Sequence, residues 1–252
     1  MLGDLGRGRG RIGAMVPSTN RNLEPDFFLL APPGVSVHFV RLREEDPDEL
    51  PTSSVLQRYA HLPVAEPAEL LVAATVEVIA YGCTSATLSG SPEFDTQLSA
   101  EIERVSGLPT ITAARALLEA LATLEVSKIA FGSPYVRELH ERGIKFLDDA
   151  GMEIVSEADP GRDLGNYEQE MSPGAVYDLG RRADHRDAQA LVLSCTEMRS
   201  VEAINALEKD LDKPVVTSNQ ALMFACLKRI GVSSAGLRGW RPAVRPGVKM
   251  RS

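Results

Sequence analysis

The amino-acid sequence predicts an α/β protein made of two pseudo-symmetric halves, each with a short, mostly parallel sheet flanked by helices. Three observations predict this class. Short apolar runs alternate with longer amphipathic stretches, as strands and helices do in α/β folds. The apolar runs are nearly continuous, which is typical of parallel strands covered on both faces. With 252 residues, 44% of them apolar, the chain is also long enough to bury a sizeable core.

The predicted strands are short, often β-branched, and end near Gly, Pro, Ser or Thr. In chain order they cover residues 11–16, 35–42, 76–81, 110–112, 128–132, 152–156, 190–193 and 215–217. The predicted helices are the amphipathic stretches between them. They cover residues 22–30, 65–75, 94–105, 113–124, 136–150, 173–183, 201–210 and 219–230.

An internal repeat divides these elements into two halves. Three segments of the first half can be laid over three segments of the second half in the same order. The pairs are residues 11–18 with 128–135, 79–84 with 191–196, and 108–117 with 213–222. A single match between parallel strands is common, so the shared order carries the argument. We therefore predict a duplicated α/β unit, with domains at residues 11–125 and 126–231 and tails at 1–10 and 232–252.

Charge and composition argue against several classes of partner. The net charge of −8 disfavours sequence-independent binding to nucleic acid. No apolar run approaches the length of a membrane span, and no charged-then-apolar leader precedes a cleavage site. We therefore expect neither membrane insertion nor export. Three cysteines are too few for a disulfide scaffold, and they indicate the cytoplasm.

The sequence offers no pattern for a bound metal or cofactor. The histidines, His38, His61, His140 and His185, are scattered without the spacing of metal ligands. No Gly-rich nucleotide-binding motif follows a predicted strand. We therefore predict no metal site and no cofactor.

A Cys-Thr pair directly follows a predicted strand in each half, at Cys83-Thr84 and at Cys195-Thr196. Open parallel sheets bind ligands at the carboxyl ends of their strands. A cysteine that lies there, before a helix start, meets backbone N–H groups and the positive end of the helix dipole, which favour the thiolate. If the halves pack about a pseudo-twofold axis, the two thiols face each other across a cleft.

Two opposed thiols offer either a nucleophile with an acid partner, or a base and an acid on opposite faces of a carbon atom. A free cysteine is more often simply a small buried apolar side chain. We assign that role to Cys226, which lies on an apolar predicted helix, whereas the matched positions of Cys83 and Cys195 favour a functional role.

Polar side chains at two other strand ends extend the candidate site. Pro17, Ser18 and Asn20 follow the first strand, and Tyr135 follows the strand at 128–132. Asn20 offers two donors and an acceptor, and Tyr135 offers a phenolic donor. Ser and Asn are also common in turns and helix caps. Because these segments lie beside the Cys-Thr pairs in the repeat, a binding role and a turn role are equal alternatives.

The motifs that carry these residues resemble those of the aspartate/glutamate racemase superfamily. They are Pro17-Ser18-Thr19-Asn20, Tyr81-Gly82-Cys83-Thr84-Ser85, Ser133-Pro134-Tyr135, Ser194-Cys195-Thr196 and residues 214–219. Within the superfamily, residues 11–231 are most similar to the branch of maleate cis-trans isomerases and arylmalonate decarboxylases. The cysteine pair is specific for the superfamily, and the Pro-Ser-x-Asn segment points to the isomerases.

The resemblance implies a cofactor-independent enzyme with its active site in the cleft between the halves, and a homo-oligomer. Cys83 would attack an alkene carbon of maleate to give a covalent succinyl-cysteine, and Cys195 would donate and accept the proton. Rotation about the new single bond and elimination would release fumarate. The residues expected to bind the small carboxylate substrate are Pro17, Ser18, Asn20, Thr84, Ser85, Tyr135 and Thr196.

Other activities stay open. Arylmalonate decarboxylases keep only the second cysteine, so Cys83 argues against decarboxylation. A two-cysteine amino-acid or hydantoin racemase is favoured by Cys195-Thr196-Glu197, although racemases usually have Asn-Thr after the first cysteine, where this chain has Thr84-Ser85. A small-acid binding protein would use the same polar strand ends. It would have no need of two acid–base groups.

Overall fold

Two parallel sheets of like topology organise the protein. The computed structural model describes residues 8–43, 63–161, 171–235 and 237. The strands are β1 Gly10–Pro17, β2 Val35–Leu42, β3 Val78–Tyr81, β4 Thr110–Thr112, β5 Lys128–Gly132, β6 Glu153–Ala158, β7 Ala190–Leu193 and β8 Val215–Thr217. The first sheet has the order β2-β1-β3-β4 and the second has the order β6-β5-β7-β8. The same order in both sheets confirms the predicted pseudo-symmetric α/β architecture.

Helices connect the parallel strands. They are α1 Leu23–Leu30, α2 Ala65–Ala73, α3 Thr84–Leu88, α4 Pro92–Ser106, α5 Ala113–Thr123, α6 Arg137–Asp149, α7 Pro173–Ala183, α8 Ile204–Leu211 and α9 Ser218–Arg229. Most lie where the sequence predicts them. The five-residue helix α3 was not predicted, and α8 begins at Ile204 rather than at residue 201.

The parallel register brings the candidate segments to one edge of each sheet. Met15 pairs with Tyr81 across β1 and β3, and Gly132 pairs with Leu193 across β5 and β7. The chain segments that leave β1 and β3 therefore start side by side, as do those that leave β5 and β7. This is the edge at which open parallel sheets bind ligands.

The two sheets share one main apolar core through an exchange of helices. Helix α5 packs against α9, and α9 also contacts β3, β4 and α1 of the first sheet. In return, α5 contacts β8 of the second sheet. The core cluster accordingly contains Ile12 of the first sheet, Ile129 of the second, and Cys226 of α9. The domain boundaries at 11–125 and 126–231 stay a prediction.

The predicted tails are partly described. Strand β1 already begins at Gly10, and Val232 and Leu237 are buried in the main core cluster. Residues 1–7, 236 and 238–252 of the predicted tails lie outside the described residues. Within the part of the chain that the structure describes, no helix is long and apolar enough to cross a membrane.

Candidate active site

The two Cys-Thr segments, one from each half of the protein, touch each other. We call residues 82–85 the first cysteine turn and residues 194–197 the second cysteine turn. The Thr196 hydroxyl donates a hydrogen bond to the Gly82 carbonyl oxygen at 3.0 Å. Gly82 precedes Cys83, and Thr196 follows Cys195, so this bond joins the backbone beside one cysteine to a side chain beside the other. The structure thus brings together the two segments that the repeat matched.

Cys83 follows β3 directly and is the residue before helix α3. It is 5% exposed, and its Sγ lies 3.6 Å from the Ser85 hydroxyl oxygen. The Thr84 hydroxyl is buried and makes no hydrogen bond with any residue that the structure describes. A buried hydroxyl without a partner is costly, so it is suited to a ligand that supplies an acceptor.

Cys195 has a different local environment, and one prediction about it is wrong. We expected Cys195 to lie before a helix start, with the next helix predicted from residue 201, but α8 begins only at Ile204. The intervening chain bends instead, which turns the Glu197 backbone N–H onto the Cys195 Sγ at 3.3 Å. Cys195 is 4% exposed. A peptide N–H therefore lies beside this sulfur where a helix terminus was expected.

Asn20 links the segment after β1 to the second cysteine turn. Its Nδ2 donates to the Thr196 hydroxyl oxygen at 3.2 Å. Its Oδ1 accepts the backbone N–H groups of Asn22 at 3.1 Å and Leu23 at 2.9 Å, which holds the amide in one orientation. Because a side-chain amide has two hydrogens on nitrogen, Asn20 retains a second donor beside the cysteine turns.

Glu197 fastens the second cysteine turn to the same segment, a role that the sequence did not reveal. Its two carboxylate oxygens accept the Arg21 backbone N–H at 3.0 and 2.8 Å. Asn22 Nδ2 donates to the Glu197 carboxylate at 3.3 Å and also to its carbonyl oxygen. The Cys195-Thr196-Glu197 motif was the local signal for this residue. The carboxylate is directed to the backbone of another segment.

Asp26 and Asn219 form a second buried link that the sequence did not reveal. Asn219 Nδ2 donates to Asp26 Oδ2 at 2.7 Å and to the Thr196 carbonyl oxygen at 3.0 Å. Burial raises the pKa of the Asp26 carboxyl to about 7, against the lowering effect of the Asn219 hydrogen bond. The position of Asn219 just after β8 was the available signal for it, whereas Asp26 lies inside α1 with no local motif.

Pro17, Ser18 and Tyr135 lie at the expected strand ends but with different surroundings. The carbonyl oxygens of Pro17 and Ser18 lie 3.3 and 3.5 Å from Nη1 of Arg41, which comes from the edge strand β2. Ser18 itself is exposed. Tyr135 is buried in an apolar cluster separate from the main core. This cluster is built around the second sheet and also contains Cys195. Their roles in ligand binding stay predictions.

A buried histidine supports the segment that carries Tyr135. The Ser133 hydroxyl oxygen lies 2.7 Å from His140 Nδ1, and His140 Nε2 lies 2.7 Å from Glu157 Oε2 on the edge strand β6. Burial lowers the pKa of His140, although the Glu157 charge opposes this. A neutral ring that gives its Nε2 hydrogen to Glu157 accepts the Ser133 hydroxyl hydrogen at Nδ1.

The same histidine belongs to a group that the sequence did not anticipate. Ligand atoms of His140, Glu157 and Asp159 lie within 4.8 Å of one another, close enough to share a cation. Arg137 Nη1 lies 2.9 Å from Glu157 and 3.1 Å from Asp159, and so already supplies a positive charge to both carboxylates. The predicted absence of a metal site therefore stays a prediction.

Two like parallel sheets, with a cysteine turn at the ligand-binding edge of each and the turns in contact, define a pseudo-symmetric two-cysteine α/β enzyme. The chain belongs to the arylmalonate decarboxylase family, which it matches over residues 53–238. This membership confirms the predicted branch of the racemase superfamily.

Relatives of the chain over most of its length are maleate isomerases. The protein from Nocardia farcinica is 28% identical over 238 residues, covering 89% of this chain and 92% of that protein. The solved structure of maleate isomerase Iso from Pseudomonas putida S16, a cysteine-to-alanine variant with maleate, is 24% identical with a TM-score of 0.79. It covers 88% of this chain and 92% of that one.

A further solved structure is a cysteine-to-serine variant of the N. farcinica maleate cis-trans isomerase with a covalently bound succinylcysteine intermediate. It is 23% identical, with a TM-score of 0.75, and covers 88% of this chain and 93% of that one. The structural neighbours share the fold described above. The sequence relatives indicate that this chain is an isomerase.

Proposed function

We propose that the protein converts maleate to fumarate without a cofactor, with Cys83 as the nucleophile and Cys195 as the proton donor and acceptor. The observation that carries this proposal is the 3.0 Å hydrogen bond from the Thr196 hydroxyl to the Gly82 carbonyl, which holds the two cysteine turns together. A small planar substrate between these turns meets one thiol from each sheet. The covalent succinylcysteine of the N. farcinica relative supports the adduct.

The reaction needs one nucleophile and one acid–base group. The Cys83 thiolate adds to one alkene carbon while the Cys195 thiol gives its proton to the other, so the double bond becomes a single bond. After rotation about that bond, the Cys195 thiolate removes a proton from the carbon that it protonated. The double bond re-forms, the carbon–sulfur bond breaks, and Cys83 leaves as the thiolate. No net proton or electron is consumed.

Neutral donors bind the dicarboxylate in this proposal. The second amide hydrogen of Asn20, the buried Thr84 hydroxyl and the Tyr135 phenol supply side-chain donors, with Pro17, Ser18, Ser85 and Thr196 beside them. None of these residues carries a positive charge. Since the whole chain has a net charge of −8, attraction for a dianion comes from local dipoles in a site that is largely shielded from water.

Amino-acid racemisation by the same two thiols is the alternative, because one thiolate could remove an α-proton while the other thiol returns one. An amino-acid substrate also brings an ammonium group, which needs a carboxylate partner. The two buried carboxylates that contact the second cysteine turn or its supports are already engaged. Glu197 is bound to Arg21 and Asn22, and Asp26 is bound to Asn219. This occupancy favours a dicarboxylate over an amino acid.

The test follows maleate and fumarate by proton NMR with purified protein and three cysteine variants. Cys83→Ala should abolish turnover because no adduct can form. Cys195→Ala should lower it by about 10²–10⁴-fold because the acid–base group is lost. Cys226→Ala is the matched control, since Cys226 lies in the core on α9, and it should retain turnover. Cys195→Ser with maleate should accumulate the succinyl adduct on Cys83, detected by mass spectrometry of the intact chain.

Full turnover by Cys83→Ala, or no turnover by the wild type, would refute the isomerase mechanism. Deuterium exchange at Cα of aspartate or glutamate in D₂O, lost in either cysteine variant, would establish the racemase instead. Release of CO₂ from a phenylmalonate that needs Cys195 but not Cys83 would establish a decarboxylase.

A further inference from the structure

A buried chain of hydrogen bonds runs from Asp26 to the sulfur of Cys195. Asp26 Oδ2 accepts one Nδ2 hydrogen of Asn219 at 2.7 Å, and the Thr196 carbonyl oxygen accepts the other at 3.0 Å. The Thr196 carbonyl and the Glu197 N–H belong to the same peptide group. That N–H donates to Cys195 Sγ at 3.3 Å. A carboxyl on α1 and an amide on α9 therefore hold the peptide that donates to the second cysteine.

We infer that Asp26 and Asn219 are positioning residues that orient the Thr196–Glu197 peptide so that its N–H stabilises the thiolate of Cys195. Neither residue touches the reacting atoms, and each acts through this peptide group. The inference deepens the proposed function, because it rests on Cys195 being the proton-transfer cysteine.

The geometry leaves the Asn219 amide one orientation. Its nitrogen faces two oxygen atoms, one on Asp26 and one on Thr196, and both of its hydrogens are used there. Turning the amide over would place its oxygen against the Thr196 carbonyl, which can only accept. Asn219 Oδ1 is buried and has no hydrogen-bond partner among the described residues, so the amide is held through its nitrogen alone. Losing Asn219 frees the peptide plane that faces the sulfur.

The electrostatic surroundings of Asp26 fit a positioning role. The carboxyl is almost fully buried, and burial raises its pKa to about 7. The charged groups that act on it are Glu202, which raises the pKa, and Arg199, which lowers it. Either protonation state leaves Oδ2 with a lone pair to accept the Asn219 hydrogen. Asp26 can therefore hold Asn219 through an acceptor oxygen, whether or not its carboxyl is charged.

The test measures the alkylation rate of each cysteine by iodoacetamide across a series of pH values, by mass spectrometry of the cysteine peptides. Cys83 in the same sample is the internal reference. In Asn219→Leu, the rate at Cys195 should fall about tenfold at neutral pH, and its pH profile should move up by about one unit. This size corresponds to weakening the hydrogen bond from the Glu197 N–H to the charged sulfur, once the peptide is no longer held by Asn219. The rate and profile at Cys83 should not change.

A set of aspartate variants distinguishes a positioning role of Asp26 from a general loss of native structure. Asp26→Ala should slow Cys195 a few-fold, and Asp26→Asn should restore the rate because it keeps an acceptor oxygen. Asp95 is the matched control, since it is equally buried and its pKa is also raised by burial, but it lies on α4 beside Arg115. Asp95→Ala should leave the Cys195 rate unchanged. If Asn219→Leu does not fold, Asn219→Ser replaces it in the alkylation test.

Equal slowing of Cys83 and Cys195, or no change at Cys195 in the Asn219 and Asp26→Ala variants, would overturn the inference. A failure of Asp26→Asn to restore the rate would do the same. Because alkylation needs no substrate, these results are readable whether or not the protein isomerises maleate.

Discussion

The two cysteine turns occupy matching places in the two sheets, yet their sulfur atoms are held in different ways. Cys83 precedes a short helix and lies beside a hydroxyl group, that of Ser85. Cys195 precedes an irregular segment and accepts a peptide N–H. Asn20 and Asn219 also donate hydrogen bonds to Thr196 of the second turn, whereas the Thr84 hydroxyl of the first turn has no described partner. The difference fits the proposed mechanism, in which Cys195 is a fixed acid–base group and Cys83 is a nucleophile that accommodates a covalent adduct.

The loops beside these turns are also supported in different ways in the two sheets. In the first sheet, Arg41 of β2 donates to backbone carbonyls after β1, including that of Asn20. In the second sheet, Glu157 of β6 holds His140, which in turn holds Ser133. Each edge strand thus supports the loop next to it, with a cation on one side and a carboxylate on the other.

The largest expected difference separates the turn cysteines from the third cysteine. Burial raises the pKa of Cys226 to about 12, so its thiolate fraction at neutral pH is about 10³-fold below that of an ordinary cysteine. Iodoacetamide should therefore label Cys83 and Cys195 first, and maleate should protect both, as peptide mapping would report. Labelling of Cys226 ahead of either turn cysteine would place the reactive site elsewhere.

Two buried carboxyls, Asp26 on α1 and Asp95 on α4, should make the free energy of unfolding depend on pH. The pKa of Asp26 is raised from 3.8 to about 7, and that of Asp95 to about 6. A raised carboxyl pKa contributes stability at low pH that is lost as the pH rises through the folded value. Between acid and pH 8 this loss is about 4 kcal/mol for Asp26 and about 3 kcal/mol for Asp95.

Asp26→Asn and Asp95→Asn should therefore each gain stability relative to the wild type as the pH rises, measured by urea unfolding at several pH values. The gain should be complete at lower pH for Asp95→Asn. A constant difference between variant and wild type across the pH range would contradict the assigned shifts.

Replacing the matched threonines, Thr84 and Thr196, should affect the two cysteine turns differently. Thr196→Val removes a donor to Gly82 and an acceptor for Asn20, and should cost about 1–3 kcal/mol of unfolding free energy. Thr84→Val removes no described hydrogen bond, so stability should change little, while KM for maleate should rise. Equal stability losses in the two variants, measured by urea unfolding, would show that the turns are held alike.

The smallest expected effects concern the loop supports. Arg41→Ala should raise KM for maleate a few-fold through Asn20, while leaving the chemistry at the cysteines intact. His140→Gln, which keeps a polar group near Ser133, should change KM to a similar extent through Tyr135. Steady-state kinetics followed by NMR would measure both. A large loss of kcat with unchanged KM in either variant would assign the residue to chemistry instead of support.

The sequence predicted the sheets well and the fine structure of the site less well, for physical reasons. Local signals define strands such as β2, which follows Gly34 and contains three valines, and β7, a continuous apolar run that ends at Ser194. Helix α3 was missed because five residues rich in Ser and Thr carry no helical period. The bond between Asp26 and Asn219 joins residues 193 positions apart, and no local pattern encodes such a pair.

The exchange of α5 and α9 has a consequence for how the chain reaches its native state. The strands of the first sheet are made before those of the second, but α9, which covers β3 and β4 and contacts α1, is made only after the whole second sheet. A nascent chain that stops after α5 leaves that apolar face open to water and to other chains. The first cysteine turn likewise gains its contact with the second only after β7 and residues 194–197 have been made.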